Sequence, residues 1–131
     1  MATVLLVNHS QDLAETAAGW LAARGHKVVR CPGPSRVACP ILKGQACLGA
    51  QSADVLVYDA WSSGGPLADR DLIHGLRQLH PDRPIVVTAP GLGPDLGALP
   101  GEAEVVEVAG LHSATQLASA VDAALAAHRH N

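Results

Sequence analysis

Ala53-Asp54-Val55-Leu56-Val57-Tyr58-Asp59 carries the apolar run Val55 to Tyr58 and ends on an acid. A short run of Val and Leu without alternation is the pattern of a strand covered on both faces, as in a parallel sheet with helices above and below it. Thr3 to Val7 has the same character near the start. Pro84 to Ala89 has it again, with its proline at the entry position that strands tolerate. Val105 to Val108 is a candidate fifth strand, and Lys27 to Arg30, shorter and less apolar, reads as an edge strand.

Between these runs the period changes. After Asn8, His9 and Ser10, the residues Leu13, Ala17, Trp20 and Leu21 fall at i, i+4, i+7 and i+8, Asp12 and Glu15 favour a helix start, and Gly25 ends it. Leu72, Ile73, Leu76 and Leu79 repeat at helical spacing until Pro81. Ser113 with Gln116 three residues on, then Leu117, Val121, Ala124 and Leu125, predicts a capped terminal helix. Pro90 to Gly101 holds three Pro and four Gly in twelve residues, which predicts a loop or a broken helix.

Strands alternating with helices require parallel pairing through right-handed crossovers. The expected architecture is α/β: a single doubly wound five-stranded parallel sheet of the flavodoxin type, one domain over 1–131. Ligands of such sheets sit outside the carboxyl ends of the strands. The residues to question are therefore Asn8, His9, Cys31, Asp59 to Ser63, and Thr88 to Pro90.

Composition narrows the function. The 131 residues are 48% hydrophobic and 16% charged, the balance of a folded domain rather than a disordered chain. Nine Lys plus Arg against twelve Asp plus Glu give a net charge of −3 with no basic stripe, so nucleic acid is not an expected partner. No apolar run approaches the roughly 20 residues that span a bilayer, and Thr3 to Val7 lacks the basic flank of a signal peptide. A cytoplasmic protein without membrane contact is expected.

The order and spacing of these motifs resemble a response-regulator receiver domain over essentially the whole chain. Ala53 to Asp59 resembles the strand that ends in the phospho-acceptor, which places Asp59 at that position. Leu76-Arg77-Gln78-Leu79-His80-Pro81-Asp82-Arg83-Pro84-Ile85-Val86-Val87-Thr88-Ala89 resembles the third helix and fourth strand, ending in the switch residue, here Thr88. Departures from the pattern matter as much. Receivers hold magnesium with two acids after the first strand; Asn8 and His9 stand there instead, so magnesium is not expected. The lysine that pairs with the phosphoryl group falls at Gly110 or Leu111, neither of which carries a charge.

All three cysteines lie in one stretch, Cys31, Cys39 and Cys47, with seven residues between neighbours, in the connection after the second strand. Cys31-Pro32-Gly33, five residues, then Cys39-Pro40-Ile41 resembles the metal-binding loop of copper-responsive regulators in the mercury-resistance regulator family. That resemblance covers eleven residues and carries over only thiolate chemistry, which suits Cu(I), Zn(II) or an iron–sulfur cluster. A histidine such as His26 or His9 would complete a tetrahedral zinc site. Redox chemistry and inert buried thiols are the alternatives. Ser62 to Pro66 lacks the lysine and spacing of a phosphate loop and reads as a turn. His128-Arg129-His130 reads as a cationic helix end.

The expected function is a degenerate receiver-like module that is not an enzyme and acts by binding a protein partner. The three-Cys loop would bind a thiophilic metal ion or cluster, or sense redox state. Output would run through about Gly91 to Leu125, the face that the receiver resemblance implies. The alternative is a true phospho-accepting receiver using Asp59, and a redox or cluster enzyme is a third class.

Overall fold

In a computed structural model of the protein, the described residues are 2–8, 10–31, 40–59, 66–89, 105–109 and 114–129. In chain order they form β1 (Thr3–Val7), α1 (Gln11–Ala23), β2 (Lys27–Cys31), a 3-10 turn (Ile41–Lys43), α2 (Leu48–Ser52), β3 (Val55–Asp59), α3 (Pro66–Leu79), β4 (Ile85–Ala89), β5 (Val105–Ala109) and α4 (Ala114–Arg129). The strands pair in parallel in the order β2-β1-β3-β4-β5, with β2 at an edge. This is the parallel α/β architecture that the apolar runs predict.

Strand alternation divides the core into two layers. Val4 and Leu6, Val55 and Val57, and Val86 face α1 and α4, where they meet Ala14, Ala17, Leu21, Leu117, Val121, Ala124 and Leu125. Leu5 and Val7, Leu56 and Tyr58, and Ile85 and Val87 face the other way, onto Ile41, Ala50, Leu72, Ile73 and Leu76. Successive residues of β1, β3 and β4 thus alternate between the two helix layers. The consequence for function lies at the strand ends, because Asn8, Asp59 and Thr88 continue the parity of Leu6, Val57 and Val86 and so belong to the α1/α4 side.

Helix α1 shows how local signals set the ends. Ser10 caps it by accepting from the Leu13 amide at 3.3 Å. At the other end Gly25 has φ 87°, its N–H donates to Ala22 O, and His26 N–H donates to Leu21 O, the paired bonds of a left-handed helix stop. One detail of the predicted face differs. Leu13 is 48% exposed and Ala14 takes the buried place, since Ala14, Ala17 and Leu21 form the stripe that points at the sheet.

The segment after β2 also differs in detail from a plain irregular loop. Its later part folds as the 3-10 turn and the five-residue α2, held by the turn between α3 and β4. Arg83 donates to Gln51 O at 2.7 Å and to Ala50 O at 3.3 Å, closing the open carbonyls of α2. Cys39 and the Pro90–Gly101 segment lie outside the described residues. Among the described residues, no helix is long and apolar enough to cross a membrane.

Candidate functional site

Register brings the central pair together. Asp59 is the last residue of β3 and its partner in the β3–β4 pairing is Thr88. Both side chains point to the same face, so the Thr88 hydroxyl donates to Asp59 Oδ1 at 2.9 Å. Asp59 is 4% exposed and Thr88 3%, and a hydrogen bond to a carboxylate in such a setting is of the strong, charge-assisted kind.

Asn8 completes the group from the end of β1. Its backbone N–H donates to Cys31 O at 3.0 Å, tying the carboxyl ends of β1 and β2. Its side-chain Oδ1 accepts from Ser10 N–H at 2.9 Å, a local turn that leads the chain into α1. Asn8, Asp59 and Thr88 together form the polar end of a cavity of about 150 Å³ whose remaining lining is Leu6, Leu13, Thr16, Ala17, Trp20, Val57 and Leu117. His9 lies outside the described residues.

The magnesium site that the receiver resemblance implies does not fit these groups. Asp59 is the single carboxylate among the described residues that line the cavity, and the Asn8 amide oxygen already accepts from the backbone. A hard dication in near-octahedral geometry needs oxygen ligands that offset its charge, and the described residues that line the cavity supply one acid.

The two described cysteines, Cys31 and Cys47, do not stand together at that edge. Cys31 ends β2 at the carboxyl edge and lines a cleft of about 210 Å³ with Asn8, Gln11, Ala14 and Arg30. Cys47 is the N-cap of α2. Its backbone N–H donates to Nε2 of His80, in the turn after α3 that leads back to the amino end of β4. The reason is chain length: only α2 separates Cys47 from β3, and five helical residues climb about 7.5 Å. Both cysteines are half-buried against the α2/α3-side core. Among the described residues no three His, Cys, Asp or Glu side chains gather as a metal site. His26 stands just before β2, with its Nδ1 accepting from Ala2 N–H. At about 3.3 Å per residue it is on the order of 16 Å from Cys31, too far to share an ion.

His80 is a residue whose part the sequence pattern did not reveal. It is 8% exposed, and burial first, with the nearby Arg83 charge second, lowers its pKa below the ordinary 6.5. The neutral imidazole is also what the geometry needs, because Nε2 accepts from Cys47 N–H only when unprotonated. A base with a lowered folded pKa binds fewer protons folded than unfolded, so its contribution to stability is complete above pH 6.5 and is lost as pH falls through the lower folded value. The urea midpoint therefore falls between pH 7.5 and pH 5 more steeply in the parent protein than in His80→Gln, whose amide oxygen keeps an acceptor without titrating. Parallel profiles for the two proteins would refute this role.

No protein-family model and no curated protein sequence matches the chain. Solved structures do. NtrX from Brucella abortus superposes with a TM-score of 0.70 at 17% identity, covering 98% of this chain, which spans only 28% of the NtrX chain. A CheY-like response regulator receiver domain from Methanospirillum hungatei JF-1 gives 0.70 at 15% identity, covering 98% of each chain. A response regulator receiver protein from Sinorhizobium medicae WSM419 gives 0.61 at 21% identity, covering 96% of this chain and 95% of its own. The protein therefore has the receiver fold, with Asp59 and Thr88 hydrogen-bonded at the carboxyl edge of its sheet.

Proposed function

We propose that this protein is a pseudo-receiver: a cytoplasmic, non-enzymatic signalling module that acts through contact with a protein partner and leaves Asp59 unphosphorylated. The observation that carries the reading is that Asp59 is the one acid among the described residues that line its cavity. There it stands with an amide, two hydroxyls, an indole and aliphatic groups rather than with further carboxylates. Phosphoryl transfer to a carboxylate depends on charge stabilisation by a metal ion and cations, and by alignment the positions that would provide it hold Asn8 and His9 in place of the two acids and Gly110 or Leu111 in place of the lysine.

The cysteine segment is the proposed input. Thiolates at Cys31, Cys39 and Cys47 would take a thiophilic ion, a cluster or an oxidant in an arrangement other than the one that holds Cys31 and Cys47 apart here, and Cys31 adjoins Asn8 in one cleft, so ligation there would bear on the same end of the sheet. A switch of this kind needs two states of the segment that bind the input differently.

One preparation tests both parts. The protein is purified without oxygen, analysed for iron, copper and zinc beside Cys31→Ser, Cys39→Ser and Cys47→Ser, then incubated with acetyl phosphate and magnesium and weighed by intact mass. The expected results are a stoichiometric metal lost in the Ser variants and no added phosphoryl group. One phosphoryl group, absent from Asp59→Asn, would establish the phospho-accepting alternative. A protein that stays metal-free after reconstitution, with variants equally folded and equally indifferent to oxidant, would remove the thiolate input.

A further inference from the structure

Four side chains at i, i+3, i+4 and i+7 of α1, those of Leu13, Thr16, Ala17 and Trp20, form one wall of the cavity of about 150 Å³. Leu6 and Val57 of the sheet and Leu117 of α4 form the others, and all three belong to the α1/α4-side core. Leu13 and Thr16 are solvent-exposed, so the cavity opens along the outer edge of α1. Its inner end lies at the carboxyl edge of β1, β3 and β4, the edge beyond which parallel α/β sheets take their ligands.

The polar residues at that end do not ask for a polar ligand. The Thr88 hydroxyl gives its proton to Asp59 Oδ1, and Asn8 Oδ1 accepts from Ser10 N–H. Asp59 and Asn8 each engage a further group as well. All three residues are at most 5% exposed, so an occupant of the cavity strips almost no water from them. Water is itself a poor filling, since a buried water needs about two to four polar partners and most of the lining is apolar. Unfilled space costs stability in proportion to its volume, and an apolar cavity near 150 Å³ takes up benzene.

We propose that this cavity binds a small neutral apolar molecule of about the size of benzene, held between the α1 stripe and the side chains of Leu6, Val57 and Leu117. The driving force is apolar surface removed from water on both partners, with the Trp20 ring adding favourable contact for an aromatic ligand. Recognition uses no hydrogen bond, so it selects by size and by lack of polarity. The inference goes beyond the pseudo-receiver reading and does not depend on it: it adds a small-molecule input beside the Asp59–Thr88 pair, whatever enters the cysteine segment.

The test uses the full chain labelled with ¹⁵N and titrated with benzene, and with pyrimidine as a ring of the same size whose nitrogens the apolar walls would leave unpaired. Saturable shifts at Leu6, Ala17, Val57 and Leu117 are expected, with intermolecular proton contacts to Trp20 and a urea midpoint raised by benzene, because the ligand binds the folded chain alone. Pyrimidine should bind at least tenfold more weakly. Ala17→Leu would fill the cavity from within a packed layer, so Thr16→Trp, which narrows the opening from an exposed position, carries the steric test and should weaken benzene at least tenfold. Leu48→Ala, at an apolar side chain 79% exposed on α2, should leave the affinity unchanged. Absence of saturable binding, equal binding of pyrimidine, an affinity unmoved by Thr16→Trp, or one lowered as much by Leu48→Ala overturns the proposal. Labelling of Asp59 by acetyl phosphate would remove the pseudo-receiver reading alone, since the titration is made on protein never exposed to a phosphodonor.

Discussion

Ile73→Ala should cost the protein about 2–5 kcal/mol, the range for truncating a fully buried branched side chain. Ile73 has no exposed surface and lies in the α2/α3-side core with Leu56, Tyr58, Leu72 and Leu76. The site has little means of collapsing around the loss, because Ile41 of the 3-10 turn already packs closely on α3 in the same layer, its Cγ2 2.5 Å from where a Cβ on Gly75 would stand. The measurement is urea unfolding. The midpoint should fall with little change in slope, since the surface exposed on unfolding is nearly the same. Leu13→Ala, at a position 48% exposed, should change stability by no more than about 0.5 kcal/mol. A loss below about 1 kcal/mol at Ile73 would mean that this layer is not packed as described.

Thr88→Val is the second large effect, and its origin is electrostatic. Valine matches threonine in shape, so the change removes the donor to Asp59 Oδ1 and leaves the packing in place. Hydrogen bonds to charged groups contribute about 1.5–3 kcal/mol, which is the loss expected here. Thr88→Ser keeps the hydroxyl and should lose less. Removing the charge as well, in Asp59→Asn with Thr88→Val, should cost less than the two single changes taken together. A coupling of at least about 0.5 kcal/mol is expected in the double-mutant cycle. Strict additivity would show that the two groups do not depend on each other.

Much of this fold is legible in the sequence because strands and helices bury periodic residues. The run ending at Asp59, the edge character of Lys27 to Arg30 and the stripe Leu117, Val121, Ala124 and Leu125 are each set by local pattern, and the structure has them where the pattern puts them. The adjacency of Asp59 and Thr88 was also accessible, since parallel strands of similar length end level with one another. What was not legible depends on contacts between distant segments. Nothing near His80 announces that its ring accepts from Cys47, 33 residues away. The helix α2 is too short to show a period, and Arg83 holds it from another part of the chain. The cavity is hidden for a different reason: it lies between side chains of α1, α4 and three strands, and a pattern of apolar positions does not record volume.

The strand order has a consequence for how the protein is made. Within β1, Val4 pairs with Val28 of β2 on one side and with Val55 of β3 on the other. Strand β1 is thus an inner strand whose second neighbour is synthesised about 50 residues later, a delay of seconds at about 5–20 residues per second. Over that interval Val4 to Val7 is an uncovered β-forming segment without charge or proline, the composition that invites intermolecular pairing. Slow closure of such distant pairings also sets the folding rate of non-local topologies. Yield on expression should therefore respond to temperature and chaperone supply through β1, even in variants whose folded state is unchanged.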